Sequence, residues 1–446
     1  MVVIKKYHKV DLSNERDISL RILINAIDND YSLEAELEFF EKNFKADYQK
    51  ISFSHELTQG VFRYLLLLDE YIKLLTQPKF NKIDKIILNI LRLAIYQLVF
   101  MDSPDFAIVN ESVSLARKYS NEGSVKFVNG VLRNFLRKKD ELSKNIDKYD
   151  FYQKISIKNS IPDWIVNYWG SFLDKNELEE LCFSMNQKPL IYLRINTLRT
   201  SIIQFKELLK EKEIIFYDTH IENIIRLENK TNLKNIPNYN EGFWYIQDIA
   251  SSSVSYYLNP QKNQNIIDFC SFPGGKTSYT SELMANTGII YAIDSNKKRE
   301  KTFLENINRL GCKNIKTIIT SAESELPLEK EFADKILVDP PCSGLGVMRK
   351  KLEVRYKRKK EDIIRLSELQ LSILDNASKY LKNNGELFYS TCTISNLENE
   401  LVIKTFLENN KNFILAPINE KTTYKNFYPY KDNSDGFFIA KIIKKN

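Results

Sequence analysis

The sequence predicts an α/β protein with a mostly parallel main sheet, preceded by an all-helical domain and a small α+β module. Apolar residues recur every three or four positions from residue 14 to residue 139, which is typical of amphipathic helices. After residue 242, short apolar strands alternate with helices. One clear strand and one helix lie between these regions. The expected domains are 1–142, 143–240 and 241–446.

The first region contains five segments with helical periodicity: ISLRILINAI, LTQGVFRYLLLLDEYIKLL, IDKIILNILRLAIYQLVFM, FAIVNESVSLARKY and FVNGVLRNFLRKK. Its last two helices bring seven basic residues close together in sequence: Arg117, Lys118, Lys126, Arg133, Arg137, Lys138 and Lys139. A solvated helix face and a surface for RNA phosphates both fit such a run.

The middle region begins with the segment KKDELSKNIDKYD, which reads as a charged linker or a solvated helix. It continues with the strand IYLRINTLR and the amphipathic helix SIIQFKELLKEK. These elements predict a small α+β module of unassigned topology.

The last region contains five apolar strands: NIIDFC, GIIYAID, IKTIIT, ADKILVDPP and GELFYSTCT. Their alternation with helices favours βαβ units in an open sheet covered on both faces. We expect the fourth and fifth strands to lie beside the first. The closing YPYKDNSDGFFIAKIIKK predicts a terminal antiparallel hairpin, because Asn433 to Gly436 form a turn cluster between two strand-like runs.

Composition and charge narrow the class of protein. The 446 residues carry 65 Lys and Arg against 58 Asp and Glu, a net charge of +7 that suits a polyanionic partner. Five cysteines without a Cys-x-x-Cys pair, together with only three histidines, argue against a zinc site. The first ten residues lack an apolar signal core, and polar residues interrupt the apolar helix at 86–101. We expect a cytoplasmic monomer without metal or membrane span.

The first strand of the last region ends in DFCSFPGGKT, from Asp268 to Thr277. A triphosphate-binding loop would need glycine at position 270, where this chain has Cys270, and the dinucleotide pattern Gly-x-Gly-x-x-Gly is absent. With both nucleotide-binding patterns excluded, the segment still contains a glycine pair, Gly274 and Gly275, that lets a ligand approach the backbone. It also contains an acid, Asp268, that could hold an amino group. Asp294 ends the next strand, 20 residues after Gly274, where an acid binds a ribose diol. An adenosine-containing cofactor is indicated.

Asp339 and Cys342 lie in the turn DPPCSG at the end of the fourth strand, and Cys392 lies in STCT at the end of the fifth. Two thiols and an acid at adjacent strand ends fit methyl transfer to C5 of a pyrimidine. That reaction needs a thiolate that adds to C6, an acid that hydrogen-bonds the ring, and a base that removes the C5 proton. The residues alone do not decide which thiol is the nucleophile.

A dense basic run, RKKLEVRYKRKK, follows the first cysteine turn and holds eight basic residues and one acid. We interpret it as a contact surface for an RNA backbone. The residues proposed for this contact are Arg349, Lys350, Lys351, Arg355, Lys357 and Arg358. Phe272 and Tyr356 are aromatic side chains that could stack an exposed base, and for Phe272 core packing fits equally well.

The segments FWYIQDIASS, DFCSFPGGKT, YAID, DPPCSGLGVMRK and GELFYSTCT together resemble the Sun/Nop family of S-adenosylmethionine-dependent RNA cytosine-5 methyltransferases. The segments LRLAIYQLVFMDSPDFAIVNESVSLARKY and KFVNGVLRNFLR are similar to NusB-type RNA-binding domains. The combination resembles bacterial enzymes that methylate cytosine 967 of 16S ribosomal RNA. It implies a Rossmann-like methyltransferase domain, and 16S ribosomal RNA or an early small-subunit assembly intermediate as partner.

The resemblance also implies roles for matching residues. The loop of Cys270, Ser271, Phe272, Pro273, Gly274, Gly275 and Lys276 would hold the methionine part of S-adenosylmethionine. Asp294 would hold the ribose, and Asp339 would contact both the cofactor and the target base. Cys392 would attack C6, and Cys342 would assist release of the methylated product.

Three other functions compete with this one. A non-catalytic RNA-binding or antitermination factor on a methyltransferase scaffold fits the NusB-like region, but it has no need for the complete set of polar site residues. An amino-group methyltransferase would carry an aromatic residue where this chain has Cys342. A cytosine-5 methyltransferase for another RNA would use the same catalytic residues.

Two segments depart from the family pattern. Ser271 and Phe272 replace a pair of alanines, and Ser321 stands where the family has an acid at the third strand. Ser321 can still hydrogen-bond near the adenine, so we expect weakened cofactor binding and not its loss.

Restoring the acid should therefore strengthen cofactor binding. We expect Ser321→Asp to lower the dissociation constant of S-adenosylmethionine about tenfold in isothermal titration, the effect of one charge-assisted hydrogen bond. Unchanged or weaker binding in the variant would count against this role of position 321.

Overall fold

The computed structural model describes residue 11 and residues 14–43, 48–228, 231–418 and 422–446. The first ten residues, which the signal-peptide argument used, lie outside this set. The chain forms two compact units. Unit 1 comprises Met1–Asn186 and Lys351–Lys357, and unit 2 comprises Gln187–Lys350 and Arg358–Asn446.

Unit 1 is all-helical in its described residues. Its helices are α1 Glu15–Leu23, α2 Leu33–Asn43, α3 Tyr48–Arg63, α4 Leu65–Thr76, α5 Lys85–Phe100, α6 Asp105–Tyr119, α7 Glu122–Asp147, α8 Phe151–Asn159, α9 Asp163–Trp169 and α10 Lys175–Ser184. A π-helical turn, Ile24–Asp28, extends α1. The apolar faces meet in one core that includes Leu23, Leu68, Leu91, Leu132 and Phe135. The prediction of an all-helical N-terminal domain is confirmed.

The expected boundary at residue 142 falls inside α7. Leu142 and Ile146 continue the apolar spacing set by Phe135 and are buried, so the charged segment KKDELSKNIDKYD is mostly helix and not linker. Asn121 caps the start of α7 by accepting a hydrogen bond from the Ser124 N–H.

The segment Lys351–Lys357, which includes α15 Val354–Lys357, belongs to unit 1. Arg355 is fully buried, and its guanidinium donates to the backbone carbonyls of Arg63, Asn159 and Met185 and to Oδ1 of Asn186. Burial lowers the pKa of Arg355 to about 10, so it remains charged at neutral pH.

Unit 2 begins with a small antiparallel sheet in the order β2-β3-β1-β4. Its elements are β1 Tyr192–Ile195, α11 Ile202–Glu211, β2 Phe216–Asp218, β3 Ile224–Leu227 and β4 Trp244–Ile246. Phe205 and Leu209 of α11 pack on Leu193, Ile195 and Ile225 of the sheet. This confirms the predicted α+β module.

The main sheet has the order β10-β12-β9-β8-β5-β6-β7, with β11 on β12. Its strands are β5 Asn265–Phe269, β6 Ile289–Asp294, β7 Ile315–Ile319, β8 Ala333–Val338, β9 Leu381–Thr391, β10 Phe413–Ala416, β11 Tyr424–Phe427 and β12 Phe437–Lys444. The helices of this part are α12 Ile249–Leu258, α13 Gly275–Leu283, α14 Lys297–Leu310, α16 Lys360–Ser378, α17 Glu400–Asn409 and α18 Pro429–Asp432. β5 to β9 run parallel, whereas β10, β11 and β12 pair antiparallel. The expected mostly parallel sheet is confirmed.

Two details differ from the sequence analysis. β9 lies beside β8 and not beside β5, because β8 occupies that edge of β5. The strand that precedes β12 and forms the antiparallel hairpin with it is β11, Tyr424–Phe427, while Pro429–Asp432 forms the short helix α18, with Pro429 at its first position.

No helix among the described residues combines the length and apolar character that a membrane crossing requires.

The contacts of Arg355 predict a specific stability loss. We expect Arg355→Met to lower the free energy of unfolding by about 3 kcal/mol, because several buried acceptors lose their donor. Urea denaturation followed by circular dichroism measures this. The exposed neighbour Lys351 is the control, and Lys351→Met should change stability by less than about 0.5 kcal/mol. Equal losses in the two variants would contradict the role of Arg355.

Candidate active site

The polar residues singled out in the sequence gather at the carboxyl ends of β5, β6, β8 and β9. After β5 the chain builds β6 and β7 on one side and then returns to build β8 on the other. Such a reversal opens a crevice beyond the strand ends, where ligands bind in open α/β sheets.

The loop after β5 turns sharply into α13. Cys270 and Gly274 have left-handed backbones, with φ of 60° and 99°. A Cβ on Gly274 would come within 2.8 Å of the Phe303 ring, so glycine is required there on two grounds. The Ser271 N–H donates to the Ile293 carbonyl, and the Asn306 amide donates to the Pro273 carbonyl. The loop is therefore tied to β6 and α14.

Phe272 packs into the core and not into the crevice. Its ring lies 4.4 Å from that of Phe303, in a cluster with Ala292 and Ile307. The bulky Ser271–Phe272 pair thus fits this loop because Phe272 fills a site under α14. Burial raises the pKa of Cys270, which argues against a nucleophilic role for that thiol.

Asp268 is a buried acid at the end of β5. Its Oδ2 accepts from the Thr277 hydroxyl at 2.6 Å, and its Oδ1 has no hydrogen-bond partner among the described residues. Burial raises the pKa of Asp268 to about 7, and the negative Asp339 adds to the increase. A buried, half-satisfied carboxyl group at a strand end is suited to a cationic ligand group.

Lys276 and Asp339 form an ion pair across the crevice. The Nζ of Lys276 lies 2.7 Å from Oδ2 of Asp339, and the Ser390 hydroxyl donates to Oδ1. Burial alone would lower the pKa of Lys276, but Asp339 and Cys392 outweigh it and raise that pKa. The lysine and the serine together hold the Asp339 carboxylate in one orientation.

The two cysteines meet although 50 residues separate them. The Sγ atoms of Cys342 and Cys392 are 3.3 Å apart. The hydrogen bond to Cys392 raises the pKa of Cys342 well above its usual value, and burial adds to this. Cys342 therefore keeps its proton at neutral pH. The protonated thiol of Cys342 therefore lies within hydrogen-bond distance of the Cys392 sulfur.

Asp294 and Ser321 lie at neighbouring strand ends. Oδ2 of Asp294 accepts from the Phe272 N–H at 3.0 Å, and Oδ1 accepts from the Asn296 N–H at 2.8 Å. The Ser321 hydroxyl accepts from the Glu323 N–H at 3.3 Å. Asp294 thus orients the loop before it, while its role toward ribose stays a prediction, as does that of Ser321.

Sequence reasoning did not find Arg194, which braces the loop from β1. It is fully buried, and its guanidinium donates to the Gly275 carbonyl at 2.7 Å and the Ser278 hydroxyl at 2.8 Å. It also pairs with Glu282 at 3.2 Å. An arginine between two apolar strand residues gives no local indication of this contact, because Gly275 and Ser278 lie more than 80 residues away.

In the basic run RKKLEVRYKRKK, several charged side chains form contacts within the protein and do not remain free in solvent. Arg349 is buried and pairs with Asp435 at 3.0 Å, and Lys350 reaches both Asp435 and Asp248. These acids are over 80 residues from their partners, so the sequence does not reveal the pairing. Arg349 thus has a packing role, and its contact with an RNA phosphate stays a prediction.

The rest of the run is also largely engaged. Arg355 is buried in unit 1, Lys357 pairs with Asp30 and Glu353, and Arg358 donates to the Ser343 carbonyl. Tyr356 donates to the Phe62 and Ser160 carbonyls and packs in the helical core, so it is not placed for stacking on RNA.

Three family models match consecutive parts of the chain. The NusB family matches residues 13–137, a ferredoxin-like domain of RsmF/B-like methyltransferases matches 161–234, and 16S rRNA methyltransferase RsmB/F matches 255–443. Their order agrees with the helical unit, the small sheet and the main sheet.

Within the described residues, no group of three or more His, Cys, Asp or Glu could hold a metal ion.

Curated relatives match over most of their length. The chain is 34% identical over 412 residues to the probable ribosomal RNA small subunit methyltransferase B of Synechocystis, covering 88% of this chain and 91% of the relative. It is 31% identical to ribosomal RNA small subunit methyltransferase B of Proteus mirabilis, with 97% and 99% covered.

Solved structures share the fold. The structure of a protein called PH0851 has a TM-score of 0.78 at 24% identity and covers 98% of this chain and 100% of its own. NSun6 from Pyrococcus horikoshii, solved with SFG, has a TM-score of 0.59 at 24% identity, with 64% and 98% covered.

Proposed function

The chain belongs to the 16S rRNA methyltransferase RsmB/F family, and we propose that it methylates C5 of a cytosine in 16S ribosomal RNA through a covalent cysteine–C6 adduct. The target we propose is the family position, cytosine 967. The observation that carries the proposal is the pair of thiols 3.3 Å apart, Cys342 and Cys392, beside the Lys276–Asp339 ion pair. Neither hydride transfer nor amide formation requires two thiols and a fixed acid.

The residues around the loop after β5 fit S-adenosylmethionine. The free Oδ1 of Asp268 suits an ammonium group, and the loop from Cys270 to Lys276 admits a ligand beside α13. We assign the ribose to Asp294, at the end of β6, and the adenine to Ser321, beyond the end of β7. When bound, this cofactor supplies a methyl group on a sulfonium sulfur, which keeps the bonding electron pair as the methyl leaves.

The chain's own residues supply the activation of the base. Sγ of Cys392, as the thiolate, forms a bond to C6 while the C5–C6 double bond breaks, and the electron pair moved to C5 forms the bond to the methyl group. Asp339, held by Lys276 and Ser390, hydrogen-bonds the ring. Loss of the C5 proton to a base and departure of Sγ from C6 then restore the aromatic ring. Cys342, which retains its proton beside Cys392, assists this release.

The RNA partner calls for exposed cations. Four of them lie on one face of α7, at spacings of 7, 4 and 7 residues: Lys126, Arg133, Arg137 and Lys144. None has a salt bridge among the described residues. We assign the contact with RNA phosphates to these four residues and to the exposed Lys351 and Lys357, the partner being 16S ribosomal RNA or an early assembly intermediate. A ribosomal RNA substrate implies a cytoplasmic reaction.

A trapping assay tests the covalent mechanism. Wild type, Cys392→Ala and Cys342→Ala are incubated with S-adenosylmethionine and unmodified 16S RNA, and protein–RNA adducts that survive denaturation are counted. We expect Cys342→Ala to accumulate the adduct, because release is impaired, and Cys392→Ala to form none. Methyl transfer should fall at least a hundredfold in Cys392→Ala.

Other outcomes of the trapping assay have distinct meanings. Exchanged behaviour of the two variants would assign the nucleophile to Cys342. If wild type binds the RNA but neither methylates it nor forms an adduct, the proposal fails in favour of a non-catalytic RNA-binding factor. Methylation of another RNA in its place would change the substrate alone.

The carboxyl group of Asp268 predicts pH-dependent cofactor binding. With its pKa near 7, Asp268 is mostly neutral at pH 6 and mostly ionised at pH 8, and only the ionised form pairs with an ammonium group. We expect the affinity for S-adenosylmethionine to rise about tenfold between these pH values in isothermal titration. Asp268→Asn should bind weakly with no such rise. An equal pH response in both proteins would contradict the assignment.

A further inference from the structure

The two thiols are held together by a buried polar network behind them. Cys342 lies in the turn after β8 and Cys392 follows β9, so their separation depends on what joins these two segments. The Ser343 and Thr393 hydroxyls, each one residue beyond a cysteine, are 2.7 Å apart. Thr393 also accepts from the Leu345 N–H, and Gly346 N–H donates to the Cys392 carbonyl.

Glu398 lies at the centre of this network and is fully buried. Its Oε1 accepts from the Ser343 N–H at 2.7 Å and from Nε2 of Gln370 at 3.0 Å, and its Oε2 accepts from the Ser343 hydroxyl. The same Gln370 nitrogen donates to the Pro341 carbonyl at 2.9 Å. The residues before and after Cys342 are therefore both anchored through Glu398 and Gln370.

Glu398 is itself fixed from two sides. The Tyr389 hydroxyl, on β9, donates to the Glu398 carbonyl at 2.6 Å and contacts Oε1 of Gln370 at 3.1 Å. No lysine or arginine pairs with Glu398 among the described residues, so its carboxylate is balanced by hydrogen-bond donors alone. A carboxylate that accepts several hydrogen bonds and touches no cation is suited to holding backbone in place.

We propose that Glu398 is a positioning residue that sets the distance between Cys342 and Cys392 and thereby the rate of adduct release. Cys392 is held mainly by β9 and Cys342 by the Glu398 network. Loss of the network moves the assisting thiol more than the nucleophile. Bond formation from Cys392 Sγ to C6 then persists, while loss of the C5 proton and breakage of that bond become slow. This inference rests on the proposed function.

The test replaces Glu398 by Gln in the full-length protein, which puts an amide donor against the donors of Ser343 and Gln370. Glu408→Gln on the same segment of chain makes the identical chemical change at an exposed side chain of α17 and is the control. Adduct formation in the first turnover, steady-state methylation of unmodified 16S RNA and the affinity for S-adenosylmethionine are measured for each.

We expect Glu398→Gln to form the adduct within about threefold of the wild-type rate, to turn over at least tenfold more slowly and to accumulate adduct at steady state. The affinity for S-adenosylmethionine should stay within twofold, and Glu408→Gln should match wild type throughout. A merely structural role would lower adduct formation, turnover and cofactor affinity together, and would overturn the inference, as would unchanged turnover.

A milder variant keeps the test decisive if Glu398→Gln does not fold, as judged by thermal melting. Ser343→Ala removes the hydroxyl that joins Glu398 to Thr393 and keeps the backbone N–H. It should show the same accumulation of adduct to a smaller extent, and wild-type release in this variant would overturn the inference. If the wild-type protein formed no adduct and transferred no methyl group, the proposed function itself would be wrong.

Discussion

The parallel pairing of β5 with β8 is the constraint on which the rest of the site depends. Because the chain builds β6 and β7 before it returns to β8, the loops after β5 and β8 diverge and leave a crevice between them. Asp268 and the glycine loop lie on one side, and Asp339 lies on the other. β9 then adds Cys392 beside the turn that carries Cys342.

Buried charge gives this crevice its chemical character. Lys276 and Asp339 pair within hydrogen-bond distance, and the raised pKa of Asp268 follows from burial in the same region. In such an environment an ion pair is oriented by its neighbours and little screened by water. Arg194 extends the same principle outward, since it anchors the glycine loop to the small sheet through Gly275 and Glu282.

Positive charge has two separate uses in this protein. Arg349 and Arg355 are buried and bind acids or carbonyl groups, so they hold the backbone of their own units. Lys126, Arg133 and Arg137 stay exposed on α7. A count of basic residues along the chain does not distinguish buried charges from exposed ones. A buried guanidinium that loses its partners lowers the stability of the fold, whereas an exposed lysine contributes almost nothing to it.

The amino-acid sequence by itself determined the helical N-terminal domain, the alternating strands of the main sheet and the strand ends and turns that carry Asp268, Asp339, Cys342 and Cys392. These features depend on local periodicity and on turn-forming residues, which act over a few positions. It also pointed to cofactor chemistry, because a loop and two acids at strand ends are adjacent in any parallel sheet of this order.

Only the tertiary structure decided which groups share a contact. The 3.3 Å approach of the two thiols, the anchoring of Ser343 by Glu398 and the burial of Arg355 all join residues that are 50 or more positions apart. A hydrogen bond or ion pair between distant segments leaves no periodic mark in the sequence. The physical reason is that the sequence around an arginine is the same whether its guanidinium is hydrated, pairs with a carboxylate or donates to a backbone carbonyl. Only the folded structure determines which of these partners it has.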